Sequence, residues 1–294
     1  MKIALAQLNY HVGNLEYNTQ KIIAAIKDAK NQKADIVVFA ELGLCGYPPL
    51  DLLEFEEFID NCEKSILTIA HACTDITAIV GAPSRNKNKF GKALFNSAYV
   101  LSKGKITDTY HKGLLPNYDV FDEFRYFEPA ANFKCLNIND TKIALTICED
   151  LWNTGEKPMY SFSPMDALIK ERPQLIINMA ASPFSATHHL ERLKVLKENS
   201  LKYQLPLVYV NHCGTQTELI FDGGSLVLNN KGELCEQLPF FKEEIRIIDT
   251  ENLIPENKVN IPSKAELHYK ALVSGIKDYF QKMNFKQAVL GLSG

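Results

Sequence analysis

Cys148 directly follows an apolar segment of this sequence and is the first of three residues whose side chains could take part in a reaction together. Residues 142–152, KIALTICEDLW, run from strand-forming apolar residues into Cys148 and then into two acidic residues. The turn after a buried strand of an α/β enzyme exposes a side chain together with the next backbone N–H. Cys148 is therefore a candidate nucleophile, although a single cysteine is more often a small buried hydrophobic residue.

Glu41 and Lys112 are the other two candidates. Residues 35–49, DIVVFAELGLCGYPP, form an apolar run that reaches Glu41 and then a turn rich in glycine and proline. Residues 110–127 place Lys112 in a long loop with many aromatic and acidic residues. Either charge alone is more often a surface residue. A carboxylate and a cysteine at strand ends can, however, converge with a loop lysine at one end of a sheet.

Together these residue types can hydrolyse an amide. A free thiol is mostly protonated at neutral pH, so a cysteine nucleophile needs a base and a positive neighbour. Glu41 can take the thiol proton and later pass it to ammonia. Lys112 can place a positive charge beside the tetrahedral oxyanion, with the backbone N–H of Glu149 as a second donor.

The ordered glutamate, lysine and cysteine resemble the nitrilase superfamily. The segments HKGLLPNYDVFDEFRYFEP, TICEDLW and FDGGS are similar to the glutaminase (amidotransferase) domains of glutamine-dependent NAD synthetases. This resemblance runs from residue 1 to about 249 and continues in the last residues. It implies a four-layer α-β-β-α sandwich that cleaves glutamine through a γ-glutamyl thioester. It also implies that the ammonia passes to a synthetase domain, which amidates deamido-NAD with ATP and magnesium.

The resemblance assigns roles to further residues. Glu123 corresponds to an acid that orients the lysine and steers protons, while Tyr118 and Ser182, in LPNY and ASPF, correspond to glutamine contacts. The family usually has a lysine six residues after this serine, to pair with the substrate α-carboxylate, but here the residue is His188. Imidazole is fully charged only below about pH 6.5, which predicts a weaker or pH-dependent contact. The alternative is that His188 points to solvent.

Tyr47 is a further candidate site residue, and His188 and His189 are a pair of adjacent histidines. Tyr47 lies six residues after Glu41, where the family has an aromatic residue lining the pocket; ordinary core packing is the alternative. A metal site at His188 and His189 is disfavoured, because adjacent helical residues point in different directions and no third ligand is evident. We therefore predict no metal, and no cofactor for the glutaminase part.

Composition limits the class of protein. The chain has 294 residues, 46% of them hydrophobic, and a formal net charge of −3, with no Lys/Arg-rich tract of the kind that binds nucleic acid. This charge distribution favours a small polar molecule over nucleic acid as the binding partner. No apolar run is long enough for a signal peptide or a membrane span. The seven cysteines lack CxxC pairs, so we expect neither disulfides nor a structural zinc site. We also expect the protein to be cytosolic.

Hydrophobic periodicity predicts a mixed α/β fold, with strands alternating with helices and a more hairpin-like middle. Strands are predicted at 2–8, 35–40, 76–80, 94–101, 106–111, 143–147, 174–178, 207–211, 225–228 and 244–249. Helices are predicted at 15–30, 58–73, 164–171, 189–203 and 264–283. This pattern by itself indicates a mixed sheet covered on one side by helices.

The expected domain organisation has three parts. Residues 1–250 form the nitrilase-like domain, 251–263 a linker, and 264–294 a helix followed by a strand. The ending AVLGLSG is similar to the first half of the SGGxDS pyrophosphate loop of an ATP-dependent synthetase, although a frayed terminus is the alternative. On this interpretation the chain is truncated and does not make NAD by itself.

Three functions remain open. The first is a glutaminase domain whose partners are glutamine, a synthetase domain and further copies of the chain. The second is a free-standing amidase or carbamoylase acting on another small amide, which leaves the AVLGLSG ending unexplained. The third is a binding module without catalysis, which has no need of Glu41, Lys112 and Cys148 together.

Overall fold

The structure is a computed structural model that describes residues 1–155, 158–216, 218–256 and 262–294. Its helices are α1 (Leu15–Asn31), α2 (Glu56–Ala72), α3 (Glu123–Tyr126), α4 (Pro164–Leu168), α5 (His188–Tyr203) and α6 (Lys264–Lys282). Short 3-10 turns lie at Leu50–Glu54, Cys148–Leu151 and Ile169–Glu171. Among the described residues, none of these helices has the length and apolar character needed to cross a bilayer.

Two six-stranded sheets form the centre of the protein. The first has the order β14-β1-β2-β3-β4-β5, with β1 (Lys2–Gln7), β2 (Ile36–Val38), β3 (Thr77–Arg85), β4 (Leu94–Ser102), β5 (Lys105–His111) and β14 (Glu244–Asp249). The second has the order β13-β12-β9-β8-β7-β6, with β6 (Leu136–Ile138), β7 (Thr141–Ile147), β8 (Leu175–Ala180), β9 (Leu207–Asn211), β12 (Leu226–Leu228) and β13 (Leu234–Gln237). A separate hairpin pairs β10 (Cys213–Gln216) with β11 (Leu219–Asp222).

The two sheets stack face to face between helical layers. Alternate residues of β1 show this, because side chains alternate between the two faces of a strand. Ile3 and Leu5 belong to the core shared with the second sheet, whereas Ala4 and Ala6 pack with α1 and α2. Helices α4 and α5 pack beside strands of the second sheet. The fold is thus a four-layer α-β-β-α sandwich, which periodicity alone did not predict.

Strand direction brings the candidate site residues to one edge. Strands β1, β2 and β3 are parallel, and so are β7, β8 and β9. Glu41 follows β2, Cys148 follows β7 and Ser182 follows β8. Strand β5 runs in the same direction as β3, because β4 pairs antiparallel with both, so Lys112 also follows a carboxyl end. The carboxyl ends of parallel strands are where open α/β sheets place their ligands.

Most predicted elements are present, and the differences have physical causes. Strands β6, β10, β11 and β13 were missed because each is only three or four residues long. The strand predicted within 288–294 is wrong for this structure: residues 286–294 form neither helix nor strand. A lone strand has no neighbour to take its backbone hydrogen bonds. Of the predicted linker, residues 257–261 lie outside the described residues, and 251–256 contain no helix or strand.

Candidate active site

Cys148 occupies a strained turn at the end of β7. It is the first residue of the 3-10 turn Cys148–Leu151, has φ +43° and is 5% exposed. This left-handed conformation costs a non-glycine residue on the order of 1–3 kcal/mol and is often found at functional sites. A sharp strand-to-helix turn directs the nucleophile and the following N–H to the same space. The N–H of Glu149 is therefore well placed as an oxyanion donor.

Asp150 holds this turn against the loop of Lys112. Its Oδ2 accepts from the N–H of Ile147 at 3.0 Å, and its Oδ1 accepts from the N–H groups of Gly113 and Leu114, each at 2.9 Å. Burial raises the pKa of Asp150 to about 6, although the three N–H donors oppose the shift. Sequence reasoning missed this role, although an acid two residues after the candidate nucleophile was a signal that could have indicated it.

Lys112 is buried between two carboxylates. Its Nζ donates to Oε1 of Glu41 at 2.6 Å and to the two carboxylate oxygens of Glu123 at 2.7 and 2.8 Å. Burial alone lowers the pKa of Lys112, but the charges of Glu123 and Glu41 outweigh it and hold that pKa well above its ordinary value. Lys112 is therefore a permanent positive charge inside the protein.

The carboxylate of Glu41 is fixed on both sides. Its Oε2 accepts from the N–H of Ala181 at 3.0 Å, and its Oε1 accepts from Nδ2 of Asn96 at 2.7 Å. Burial raises the pKa of Glu41 to about 7, against the lowering effect of Lys112. A base is most effective when its pKa lies near the working pH. Asn96, which also donates to Glu123 at 3.1 Å, was missed because it is an isolated amide in an apolar strand.

The thiol of Cys148 lies within the electrostatic influence of these charges. Burial raises its pKa well above the ordinary value, and the negative charge of Glu41 adds to this, while Lys112 acts in the opposite direction. The resting thiol is therefore protonated, and Glu41 is the acceptor available for its proton. We call Glu41, Lys112, Glu123 and Cys148 the catalytic cluster.

Tyr47 and Tyr118 contact carboxylates at the cluster. The Tyr47 hydroxyl donates to Oε1 of Glu123 at 2.9 Å, so this buried ring holds the acid that pairs with the lysine. The Tyr118 hydroxyl donates to both carboxylate oxygens of Glu149 at 3.0 Å, and Tyr160, which the sequence did not indicate, donates to the same carboxylate at 3.1 Å. Burial raises the pKa of Glu149.

Ser182 and His188 lie in contact with each other, and Ser182 directly follows Ala181, whose N–H bonds to Glu41. Oγ of Ser182 is 3.0 Å from Nε2 of His188, and the imidazole stacks on Trp152 with ring centroids 5.1 Å apart. Burial lowers the pKa of His188, and the positive charge of Arg192 lowers it further. Full protonation near neutral pH is therefore not expected, and the stacking on Trp152 could not be foreseen from spacing.

The two-sheet sandwich has the nitrilase fold, with a glutamate, a lysine and a cysteine together at one edge. The family model for carbon-nitrogen hydrolases matches residues 2–254. The chain therefore belongs to the carbon-nitrogen hydrolase family, whose members act on C–N bonds.

Curated relatives that match this chain include glutamine-dependent NAD(+) synthetases. The glutamine-dependent NAD(+) synthetase of Synechocystis sp. is 38% identical over 305 residues, covering 99% of this chain and 54% of the relative. The enzyme of the same name from Thermotoga maritima is 33% identical over 332 residues, covering 100% of this chain and 56% of the relative. The chain thus spans about half the length of the curated relatives it matches.

Solved structures show the same similarity. The glutamine-dependent NAD+ synthetase from Acinetobacter baumannii, in complex with ADP, superposes with a TM-score of 0.86 at 32% identity, over 95% of this chain and 52% of that chain. An amidase from Nesterenkonia sp. superposes with a TM-score of 0.71 at 23% identity, over 92% of this chain and 95% of that chain. The second comparison supports the fold alone.

Proposed function

We propose that this chain hydrolyses the side-chain amide of glutamine through a thioester on Cys148. The observation that carries the proposal is the buried Lys112 between Glu41 and Glu123, next to a cysteine held in a strained turn. This arrangement supplies a nucleophile, a base and a fixed positive charge. The choice of glutamine is supported by the names of the relatives that match nearly the whole chain.

The first half of the reaction forms the thioester. Glu41 takes the proton of the Cys148 thiol as the sulfur attacks the amide carbon, and the carbonyl oxygen becomes an oxyanion. Lys112 and the N–H of Glu149 stabilise this oxyanion; losing one such donor typically costs roughly 3–4 kcal/mol in the barrier. The C–N bond then breaks, Glu41 returns its proton to the nitrogen, and ammonia leaves.

The second half of the reaction regenerates the enzyme. Glu41, again a carboxylate, takes a proton from water as the water oxygen attacks the thioester carbon. The C–S bond breaks, the proton returns to the sulfur of Cys148, and glutamate is released. Glu123 keeps Lys112 charged and in place throughout. No cofactor is needed for either half.

Substrate recognition is assigned to Tyr118, Ser182 and His188. Ser182 and His188 are already within hydrogen-bond distance of each other, and a carboxylate accepting from both can replace that contact. Tyr118 is held beside the cluster by Glu149. Tyr47 is proposed to act through Glu123 and not to line the pocket, because its hydroxyl is already bonded to that acid.

The wider biological role is also a proposal. We infer that the ammonia serves a synthetase domain corresponding to the other half of the relatives, which uses ATP and magnesium to amidate deamido-NAD. A cytosolic location is expected from the sequence, whose seven cysteines lack CxxC pairs. Assembly into a homo-oligomer is expected from the family resemblance.

Ammonia release from different substrates tests the proposed reaction. We expect glutamine to be preferred over asparagine and simple nitriles, with Cys148→Ala as the inactive control. Turnover can be slow, because in coupled amidotransferases the synthetase domain often organises the glutaminase pocket. Preference for a nitrile or a carbamoyl compound contradicts the proposal and favours a free-standing amidase.

The pH dependence of catalysis is predicted from Glu41. Because the base must be a carboxylate and its pKa is raised to about 7, kcat/KM should rise as pH increases through that value. Steady-state rates measured from about pH 5.5 to 8.5 give the profile. Glu41→Gln is expected to remove both the activity and this rise. A profile that is flat across this range in the parent contradicts the assignment of the base.

The pH dependence of affinity is predicted from His188. Since its pKa is lowered, we expect KM for glutamine to be nearly constant above about pH 6.5 and to fall at lower pH, because a bound carboxylate favours the protonated imidazole. His188→Lys should lower KM above neutral pH and leave kcat nearly unchanged. His188→Asn, which cannot titrate, should give a flat profile. If neither variant alters KM or its profile, His188 is not a substrate ligand.

A further inference from the structure

Helix α6 carries two charged side chains that are bonded to the rest of the protein, the buried Asp278 and the partly buried Lys282. Asp278 is 7% exposed, and its Oδ2 accepts from Nδ2 of Asn9 at 2.9 Å and from the N–H of Thr215 at 2.8 Å. One turn later, Nζ of Lys282 donates to the carbonyl of Tyr10 at 2.7 Å and to that of Thr215. Buried charges are costly unless they are well bonded. The hydrolysis described above uses neither group.

Tyr10, whose backbone carbonyl accepts from Lys282, packs its ring against the turn that carries Glu41. The tyrosine is fully buried. A Cβ added to Gly43 would lie 2.9 Å from Cζ of Tyr10, so the ring and the turn are in close contact. Any shift of Tyr10 toward the turn is therefore transmitted to the backbone of residues 40–43, because packed interiors have little room to yield.

His212 also contacts this turn, beside Tyr10. Its ring meets that of Tyr10 edge to face, with centroids 4.9 Å apart, and its Nε2 donates to the backbone carbonyl of Glu41 at 2.6 Å. Burial lowers the pKa of His212 to about 4, so the imidazole is neutral near pH 7 and its Nε2–H is available for this bond. Tyr10 and His212 thus form a layer against the Glu41 turn, and Lys282 of α6 bonds to the backbone carbonyl of Tyr10 in this layer.

We propose that Asp278 and Lys282 are positioning residues for Glu41, acting through the layer of Tyr10 and His212. Their bonds fix α6 against the segment that begins at Asn9, and this contact sets the place of the Glu41 turn relative to Cys148. The proposal rests on the proposed function only in taking Glu41 as the base for Cys148. A misplacement of about 1 Å can lower a catalysed rate about 10²-fold.

Two lysine variants on the same helix test this assignment. Lys282→Met removes the bonded lysine, while Lys277→Met removes an exposed lysine of α6 and serves as the matched control. We expect Lys282→Met to lower both kcat for glutamine and the alkylation rate of Cys148 by iodoacetamide roughly tenfold, with KM within about twofold of the parent. Mass spectrometry of the Cys148 peptide gives the alkylation rate. Lys277→Met should match the parent in all three quantities.

The alkylation readout separates this proposal from the proposed function, because it does not require glutamine to be the substrate. Rates are divided by the folded fraction obtained from thermal unfolding. If Lys282→Met does not fold, Asp278→Asn replaces it and is expected to show the same two decreases. The proposal is overturned if the variant alkylates and turns over at the rate of Lys277→Met, or if the decreases vanish after correction for folding.

Discussion

Replacement of Cys148 by alanine is expected to abolish amide hydrolysis, with kcat falling by at least about 10⁴-fold. The sulfur is the atom that bonds to the substrate carbon, and alanine offers nothing in its place. The variant should still fold, because the substitution removes one buried atom from a turn held by other contacts, among them the three backbone bonds to Asp150. Ammonia release and a thermal unfolding curve for each protein provide the measurement.

Two other buried cysteines provide controls for this result. Cys45 and Cys213 are fully or nearly fully buried thiols close to the site loops, so Cys45→Ala and Cys213→Ala impose a comparable loss of packing. Burial raises the pKa of both thiols well above the ordinary value, and neither is next to Lys112. Both variants should retain activity close to that of the parent. Retained activity in Cys148→Ala, with a loss in either control, would falsify the assignment of the nucleophile.

Replacement of Lys112 by methionine is expected to have the second largest effect, on both activity and stability. The oxyanion loses its fixed positive charge, which should lower kcat by about 10²–10³-fold. Glu41 and Glu123 are left buried without their counter-charge, a situation that typically costs about 3–5 kcal/mol in the free energy of unfolding. Denaturant unfolding and ammonia release together measure the two effects.

The pH dependence of this stability loss has a definite sign. Without Lys112 the pKa of Glu41 must rise, because the lowering effect of that charge is lost, and a protonated carboxyl group needs no counter-charge. The stability difference from the parent should therefore be largest at high pH and shrink as the pH falls. Lys134→Met is the control: it breaks a surface pair with Asp108, and the expected change is about 0–1 kcal/mol. Equal stability of the two variants contradicts a buried, paired Lys112.

Three members of the catalytic cluster could be predicted because each follows a recognisable strand, whereas Glu123, at the start of a short helix, was assigned only through the family resemblance. Apolar runs end near Glu41 and at Cys148, Lys112 follows a predicted hairpin strand, and the structure brings all three together at one edge of the sandwich. The four-layer architecture was foreseen only through the family resemblance. Periodicity describes one strand at a time and cannot indicate that two sheets share a core, as Ile3 and Leu5 show.

The residues that support the cluster could not be predicted, since their roles depend on tertiary contacts. Asn96 donates to Glu41 across 55 positions of sequence, and His212 reaches the carbonyl of Glu41 across 171. An isolated buried amide or imidazole has no pattern that distinguishes it from an ordinary core residue. The sequence predicts Tyr47 as a pocket residue only through the family resemblance, and the bond from its hydroxyl to Glu123 is visible in the structure alone.

The central claim, that Cys148 is the nucleophile toward glutamine, is tested most directly by locating a covalent adduct. The protein is incubated with a diazoketone analogue of glutamine, digested, and examined by mass spectrometry with and without excess glutamine. We predict a single adduct on the peptide that contains Cys148, formed more slowly when glutamine is present. An adduct on Cys45 or Cys213, or full glutamine hydrolysis by protein whose Cys148 carries the adduct, would contradict the account.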